Sequence, residues 1–257
     1  MAEMRPNRAK RKLADGGIVT TIAGSITPDM IDALGPVEFD AVWLEGEHGP
    51  VDYGHLGDLT RACDLWGKTS LMRVALNEPG IIYRCLDNGV QGIVVPHVDT
   101  KEEAEAVVSA GKFHPIGKRG MATSRQGFGV DDFHSKVNDE TMFVVLIEDI
   151  KAYNNLDEIL SVDHIDVFFV APSDFGQSMG YLDRNSPEVT EKVEESITRI
   201  VAAGRTAGSL ADGDNIPRLL ELGVRFFIHN INSLFSASVQ SYVEKATGQS
   251  SKPWAEA

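Results

Sequence analysis

Eight short apolar segments recur along this chain of 257 residues, and a segment with helical periodicity follows each of them. The predicted strands are Ile18–Gly24, Phe39–Glu45, Leu71–Ala75, Gly92–Val98, Phe143–Glu148, Val167–Asp174, Thr206–Leu210 and Arg225–His229. Strands that alternate with helices imply a parallel sheet, and eight such units imply that the sheet closes on itself. We therefore expect an α/β protein with one domain, a (β/α)8 TIM barrel spanning residues 1–257.

A doubly wound open sheet is the alternative, and it is disfavoured because no Gly-x-Gly-x-x-Gly follows the first strand. The segment Phe113–Glu140 interrupts the alternation, and structureless loops of this length are usually functional or mobile. We expect the basic residues 1–12 to form a flexible arm and residues 249–257 to form a flexible tail.

The chain is acidic, with 24 basic against 38 acidic residues and a formal net charge of −14. Such a charge is unfavourable for binding nucleic acid or an anionic membrane, so neither partner is expected. Cys63 and Cys85 are the only cysteines, which make neither a disulfide framework nor a thiolate zinc motif. Because the sequence also shows no secretory signal and no apolar run of membrane-spanning length, we expect a cytoplasmic protein.

Two carboxylates, Glu148 and Asp174, stand where the fifth and sixth predicted strands end. The carboxyl ends of barrel strands meet around one site, so both side chains can bind the same cation. Oxygen ligands without a His or Cys beside them favour a hard divalent cation such as Mg²⁺ or Mn²⁺. The alternative is that these acids cap the helices that follow.

A histidine and an arginine at neighbouring strands are further candidates. His48 follows the second strand in Trp43-Leu-Glu-Gly-Glu-His-Gly-Pro50, where adjacent carboxylates suit a general base. Arg73 lies between apolar residues of the third strand and could bind an oxyanion or a carboxylate. The alternatives are a surface loop with a chance acidic cluster and a structural ion pair. Lysines are scarce at the strand ends, which disfavours an imine mechanism.

These motifs resemble the HpcH/HpaI aldolase family, class II pyruvate aldolases of the phosphoenolpyruvate/pyruvate barrel superfamily. The similar segments are Val42–Pro50, Arg73, Gly92–Val98, Pro115–Gly120, Ile147-Glu148, Ala171–Asp174 and Ser178–Gly180, within about Leu13 to Thr247. The resemblance implies a metal-dependent carbon–carbon lyase that cleaves a 4-hydroxy-2-oxo acid to pyruvate and an aldehyde through a metal-stabilised enolate. It also implies a homo-oligomer, a hexamer built as a trimer of dimers with an exchanged last helix.

The resemblance further implies how the pyruvate half is bound. Glu148 and Asp174 would hold Mg²⁺, Mn²⁺ or Co²⁺, and backbone amides near Ser173 and Asp174 would receive the substrate carboxylate. Arg73 would stabilise the enolate oxygen, a role that depends on the geometry of its guanidinium. Ala171 would line the same substrate site.

Other roles implied by the resemblance concern proton transfer and the neighbouring subunit. His48, with Glu45 as its acidic partner, would remove the proton of the C4 hydroxyl. Asp87 would lie near the site of a neighbouring subunit. The aldehyde half would be contacted by loops, by the segment Phe113–Glu140 and by that subunit.

Several positions depart from the family pattern. Glu45 replaces the usual Asp, Leu146 a Gln, Ala171 a Gly, His97 a frequent Met, and His229-Asn-Ile-Asn232 a Val-Gly-x-Asp segment. We interpret His97 as structural and expect His229 close to the mouth of the site. The departures leave two alternatives: related enolate chemistry, such as oxaloacetate decarboxylation or carbon–carbon bond formation, and a non-catalytic metabolite-binding barrel.

Overall fold

A closed barrel of eight parallel strands forms the centre of the molecule in the computed structural model, which describes residues 2–249. Each strand pairs with the next along the chain, and the last pairs with the first. The strands are β1 (Val19–Gly24), β2 (Ala41–Glu45), β3 (Thr69–Arg73), β4 (Gly92–Val95), β5 (Met142–Ile147), β6 (Val167–Val170), β7 (Ala207–Leu210) and β8 (Phe226–Asn230). The predicted (β/α)8 TIM barrel is confirmed, and the open sheet is excluded.

Helices connect the strands and cover the outside of the barrel. They are α1 (Arg8–Ala14), α2 (Pro28–Leu34), α3 (Tyr53–Leu65), α4 (Pro79–Asp87), α5 (Lys101–Gly111), α6 (Phe133–Glu140), α7 (Ile150–Asn154), α8 (Leu156–Leu160), α9 (Pro172–Ser178), α10 (Pro187–Ala202), α11 (Ile216–Glu221) and α12 (Ile231–Thr247). Local sequence sets their starts: before α5, Thr100 and Glu103 exchange hydrogen bonds in a capping box. Within residues 2–249, none of these helices has the length and apolar character needed to cross a membrane.

Alternate strand residues contribute to two hydrophobic layers. Inside the barrel, the rings of Trp43, Phe169 and Phe226 pack in a row with centroids 5.6 and 6.3 Å apart. Outside it, Val42 and Leu44 belong to the layer between the strands and the helices. Because successive side chains of a strand point to opposite faces, both faces must be apolar, which explains the continuous apolar runs in the sequence.

Residues 7–14 form an ordered cap under the amino end of the barrel. Asn7 is fully buried, and its side-chain amide donates to the carbonyls of Gln91 and Glu140 at 3.1 and 3.0 Å. Ala9 is fully buried as well, and its N–H donates to Thr69 Oγ1 at 3.1 Å. The prediction of a flexible arm over residues 1–12 is therefore wrong where it overlaps α1.

Charge pairing explains why this basic segment is ordered. Lys10 Nζ lies 2.7 Å from Asp166 Oδ1, and Lys12 Nζ lies 2.8 Å from Asp40 Oδ1. Both acids precede strands, so they stand at the same amino end of the barrel as α1. The predicted tail at 249–257 cannot be compared in this way, because residues 250–257 lie outside the described part of the chain.

The segment that interrupts the alternation, residues 113–140, packs against the amino end of the barrel. It contains a 3₁₀ turn at Arg125–Gly127 and the helix α6, and it leads from the end of α5 to the start of β5. Arg125 donates to Asp64 Oδ2 at 2.6 Å and to Thr60 Oγ1 at 2.9 Å. The expectation that this segment contacts the aldehyde half is wrong for its own chain, because a connection from a helix to the next strand runs at the opposite end from the strand termini that form the site.

Candidate active site

A cavity of about 400 Å³ opens at the carboxyl ends of the strands. The predicted site residues that line it are Glu45, His48, Arg73, Ala171, Ser173 and Asp174. Its apolar floor comes from the interior of the barrel and includes Trp43, Leu146, Phe169 and Ile228. A cavity of this size is at the small end of the range for ligand sites and suits a small oxo-acid.

Glu45 ends β2 and orients the guanidinium of Arg73. Its Oε2 accepts from Arg73 Nε at 2.7 Å, and its Oε1 accepts from the backbone N–H of Glu47 and of His48 at 2.9 Å each. Burial alone would raise the pKa of the Glu45 carboxyl, but the bonds and charge of Arg73 and these backbone N–H groups hold it below its usual value. Glu45 contacts the backbone of His48 and not its ring, so the expected carboxylate–imidazole pair is not formed by this residue.

Arg73 is held by two carboxylates. Its Nη2 lies 2.7 Å from Glu45 Oε2, and its Nη1 lies 2.8 Å from Glu47 Oε2. The ion pair offered as an alternative interpretation is therefore present, yet Arg73 also lines the cavity. A guanidinium has five N–H donors, more than the hydrogen bond from Nε to Glu45 and the two ion-pair contacts of Nη1 and Nη2 can use, so donors remain for a ligand.

His48 is exposed at the cavity mouth, with 68% of its side chain accessible. Its Nε2 lies 3.8 Å from Glu47 Oε2, so Glu47 is the carboxylate nearest its ring among those paired with Arg73. Sequence reasoning included Glu47 in the motif but gave it no role. In the structure Glu47 links His48 to Arg73, because one carboxylate faces both side chains.

Glu148 is buried directly after β5, with 2% of its side chain accessible. Its Oε1 accepts from the backbone N–H of His97 at 2.8 Å, and no lysine or arginine of residues 2–249 pairs with it. Burial first, with smaller contributions from the charges of Asp174 and Glu47, raises the pKa of this carboxyl to about 7 against the opposing effect of His97. A buried carboxylate surrounded by like charge is stable in its ionised form only with a cation nearby.

Asp174 lies in the first turn of α9 and not at the end of β6, which stops at Val170. Ala171 is the N-cap residue of α9, so Asp174 does not occupy the capping position that was the alternative for it. The first-turn N–H groups of Ser173 and Asp174 lack intrahelical acceptors, as at any helix start, and both residues line the cavity. They fit the predicted binding of a substrate carboxylate.

The donor set around Glu148 and Asp174 fits a hard divalent cation. Both ligands are carboxylates, and the charge of Asp174 acts on Glu148 across the site. Within residues 2–249, no three His, Cys, Asp or Glu side chains surround a common point. The protein would therefore supply only part of a coordination sphere, leaving positions for substrate oxygens and water.

His97 is a site residue that sequence reasoning interpreted as structural. Its backbone is in the left-handed region with φ of 51°, and its Nδ1 lies 3.4 Å from Glu148 Oε1. Its Nε2 lies 3.9 Å from Glu47 Oε1, so the ring stands between two carboxylates of the site. A positive φ at a residue other than glycine is uncommon, and the sequence carries no signal for it.

Two predicted residues lie away from the cavity. Asp87 ends α4 at the amino end of the barrel, where its Oδ1 accepts from the buried Arg119 at 2.6 Å. Its expected place near a neighbouring subunit stays a prediction. His229 does not reach the mouth as expected, because its Nδ1 contacts the carbonyl of Ala211. The cavity residues of that segment are instead Asn230, which shares the inner face of β8 with Ile228, and Asn232 in the first turn of α12.

Comparison with known proteins finds aldolases among the relatives of this chain. The chain is 35% identical over 230 residues to the hydroxypyruvate/pyruvate aldolase of Roseobacter denitrificans, covering 86% of this chain and 89% of that protein. It is 33% identical over 242 residues to the 2-keto-3-deoxy-L-rhamnonate aldolase of Escherichia coli K12, covering 91% and 90%. The crystal structure of citrate synthase SbnG superposes with a TM-score of 0.81 at 27% identity, covering 92% of this chain and 98% of that one.

The match extends to the family as a whole. Residues 22–226, from β1 into β8, match the HpcH/HpaI aldolase/citrate lyase family. This range contains Glu148, Asp174 and the side chains described around them. The resemblance found in the sequence motifs is confirmed, and this chain belongs to the HpcH/HpaI aldolase/citrate lyase family.

Proposed function

We propose that this protein is a divalent-metal-dependent aldolase that cleaves a 4-hydroxy-2-oxo acid to pyruvate and an aldehyde. The observation that carries the proposal is the buried Glu148 carboxylate, which is near Asp174 and has no lysine or arginine partner among residues 2–249. Arg73 and His48 line a cavity together with Asp174 and supply the other groups that the reaction needs. The names of the two aldolases compared above support the same reaction class.

Glu148 and Asp174 would hold the cation, and Mg²⁺, Mn²⁺ and Co²⁺ all suit two carboxylates. When bound, such an ion supplies Lewis acidity that polarises the 2-keto group of the substrate. The first-turn N–H groups of Ser173 and Asp174 bind the substrate carboxylate and so orient the oxo-acid. The remaining N–H donors of Arg73 stabilise the negative charge that develops on the keto oxygen as the C3–C4 bond breaks.

His48 would take the proton from the C4 hydroxyl. As that O–H bond breaks, the C4–O bond becomes the carbonyl of the aldehyde and the C3–C4 electron pair moves into the enolate of pyruvate. Protonation of the enolate at C3 then gives pyruvate. The exposed ring of His48 can reach a substrate hydroxyl, and its Nε2 lies 3.8 Å from Glu47 Oε2.

Carbon–carbon bond formation from the same enolate is the second candidate, and oxaloacetate decarboxylation belongs with it. The similarity to citrate synthase SbnG at 27% identity favours it. The non-catalytic barrel is disfavoured, because a structural barrel has no need to bury an uncompensated carboxylate.

We also propose that the chain forms a homo-oligomer, with a hexamer as the expected form. In α12, Ile231 is the one buried residue, while Leu234, Phe235, Val239 and Tyr242 are 44 to 71% exposed. An apolar helix face of this size marks an interface, which fits exchange of the last helix. Light scattering after gel filtration would measure the mass, and a monomer at micromolar concentration would contradict the proposal.

Exchange of the pyruvate C3 protons with solvent deuterium, followed by NMR, tests the aldolase proposal without knowledge of the aldehyde. We expect exchange with Mg²⁺ or Mn²⁺ and none with EDTA. Oxaloacetate turnover without cleavage of any 4-hydroxy-2-oxo acid would favour the second candidate. The absence of both exchange and oxaloacetate turnover would leave only a binding function.

A further inference from the structure

One side of the cavity has no role in the reaction proposed above. Ser25, Asn230 and Asn232 form a polar rim there, at the ends of β1 and β8 and the start of α12. In the closed barrel β1 is four strands from β5 in either direction, so Ser25 lies across the cavity from Glu148. Since the pyruvate half belongs to Glu148 and Asp174, the polar rim is left for the aldehyde half.

The amide of Asn230 is oriented by its surroundings. Its Oδ1 accepts from the backbone N–H of Asn232 at 2.9 Å. The same oxygen packs against Gly24, which has a φ of +118° and where a Cβ would lie 2.8 Å from Oδ1. With Oδ1 engaged, Nδ2 has no partner among residues 2–249 and is left as a donor for a ligand.

The other two members of the polar rim are also available. The side chains of Ser25 and Asn232 are exposed at the cavity and make no hydrogen bond within residues 2–249. A hydroxyl and an amide can each donate and accept, which is the pattern that hydroxyl groups of a ligand require. Apolar wall on this side comes from Trp43 and Leu210.

Charge around the cavity opposes a second anionic group. Four carboxylates, Glu45, Glu47, Glu148 and Asp174, lie in it or against its other residues. Arg73 is the one lysine or arginine among the described residues that line it, and both of its contacts are carboxylates. Even with a divalent cation bound, the substrate's first carboxylate leaves no positive charge for another, and an unpaired buried carboxylate is costly.

We infer that the polar rim selects a neutral, hydroxylated aldehyde and rejects a carboxylated one, so the full substrate is a hydroxylated 2-oxo acid with a single carboxylate. This inference rests on the proposed aldolase function. It also separates the aldolase from its second candidate, because an acceptor such as oxaloacetate brings two further carboxylates to the same side.

A panel of acceptors with pyruvate enolate as donor tests the inference. We expect kcat/KM for glyceraldehyde and glycolaldehyde to exceed that for succinic semialdehyde and glyoxylate by about tenfold or more, a difference of ~1.4 kcal/mol. Propanal, which is neutral but lacks hydroxyls, should fall between the two groups. A wild-type preference for the carboxylated aldehydes would overturn the inference.

Asn232→Arg introduces the missing cation, and we expect it to reduce the ratio of kcat/KM for glyceraldehyde over succinic semialdehyde by about tenfold. Thr198→Arg, on the exposed outer face of α10, adds the same charge away from the cavity and is the matched control. An equal change of the ratio in both variants, or in neither, would overturn the assignment to the polar rim. Deuterium exchange by the wild type distinguishes failure of the aldolase proposal from failure of this inference. Absence of exchange overturns the aldolase proposal itself, whereas exchange with a reversed acceptor preference overturns only this inference.

Discussion

Two buried residues at opposite ends of the barrel, Arg119 and Glu148, differ in their ion-pair partners. At the amino end, Arg119 is almost completely buried but donates to Asp87 at 2.6 Å, and Lys10 lies 2.7 Å from Asp166. At the carboxyl end, the Glu148 side chain is 2% exposed with no lysine or arginine of residues 2–249 paired with it, and burial raises its pKa to about 7. A buried charge with an ion-pair partner is compatible with a stable fold, whereas a buried charge without one is unfavourable until a ligand of opposite charge binds.

Removing the charge of Glu148 should give the largest effect on function. In Glu148→Gln we expect metal-dependent exchange of pyruvate protons to fall by more than about 10³-fold, because loss of one ligand removes the cation that supplies several kcal/mol. Deuterium NMR measures the rate, and calorimetric titration with Mn²⁺ measures binding directly. Asp149→Asn is the matched control, since Asp149 is the adjacent carboxylate and caps α7. Equal exchange rates in the two variants would contradict the ligand role.

Changing Arg73 to Lys should give the next largest effect. The charge remains, but an ammonium cannot contact Glu45, Glu47 and the substrate in one plane. We expect kcat to fall by about 10²-fold, with a smaller change in KM, as for loss of an oxyanion donor. Steady-state kinetics check this, with Arg61→Lys on the exposed face of α3 as the control. A change confined to KM would show that Arg73 binds substrate without stabilising the transition state.

At the amino end, the expected effect is on stability. Arg119→Met leaves the partly buried Asp87 without its partner, and we expect the free energy of unfolding to fall by about 2 to 3 kcal/mol. Urea denaturation measures the change. Arg61→Met removes an exposed pair with Asp58 and should have a much smaller effect. An equal loss of stability in the two variants would show that burial of the Arg119–Asp87 pair does not determine its contribution to stability.

The last expected effect is a change in how stability depends on pH. The pKa of Glu148 is about 7 in the folded protein against 4.5 as its ordinary value, so the folded state holds the proton more tightly. Without metal, stability should therefore fall as pH rises from about 4.5 to 7 and then level off for this group. Glu148→Gln should lack this decrease.

A bound cation should reverse the trend, because it requires the ionised carboxylate, so stabilisation by Mg²⁺ should grow up to about pH 7. Thermal melting at pH 5, 6, 7 and 8, with Mg²⁺ and with EDTA, tests both statements. Parallel curves for the wild type and Glu148→Gln would indicate that the carboxylate is not destabilised by burial.

The fold could be predicted because its signal is repeated. Apolar runs such as Phe143–Glu148 result from strands that are buried on both faces. Eight such runs are compatible with few arrangements of strands in a closed sheet. The positions of Glu148, Arg73 and His48 followed from the same signal, since residues at strand ends share one end of a barrel.

What could not be predicted depends on side-chain and backbone torsions. Glu45 and Glu47 are two residues apart, and only their rotamers decide which carboxylate faces His48. The positive φ of His97 brings its ring to Glu148 and has no sequence signature. The 113–140 segment precedes a strand, so its connectivity already places it at the amino end of the barrel. Its length and its glycines instead suggested a functional loop.

Glycine placement gave a further signal that was not used. Gly24 is the last residue of β1, and its lack of a Cβ is what allows Asn230 Oδ1 to approach so closely. A glycine at the end of a strand commonly marks a close approach of this kind.

The cap under the barrel has a consequence for how the chain is synthesised. Asn7 leaves the ribosome before Gln91 and Glu140, which are translated 84 and 133 residues later, yet its amide bonds to both. The segment around Asn7 must therefore remain unfixed until Glu140 has emerged. Because β1 also pairs with β8, closure of the barrel waits until the eighth strand has emerged. Nascent chains of intermediate length should accordingly be sensitive to proteases near Asn7. Protection of this segment should appear after Glu140 has emerged and increase when β8 closes the barrel.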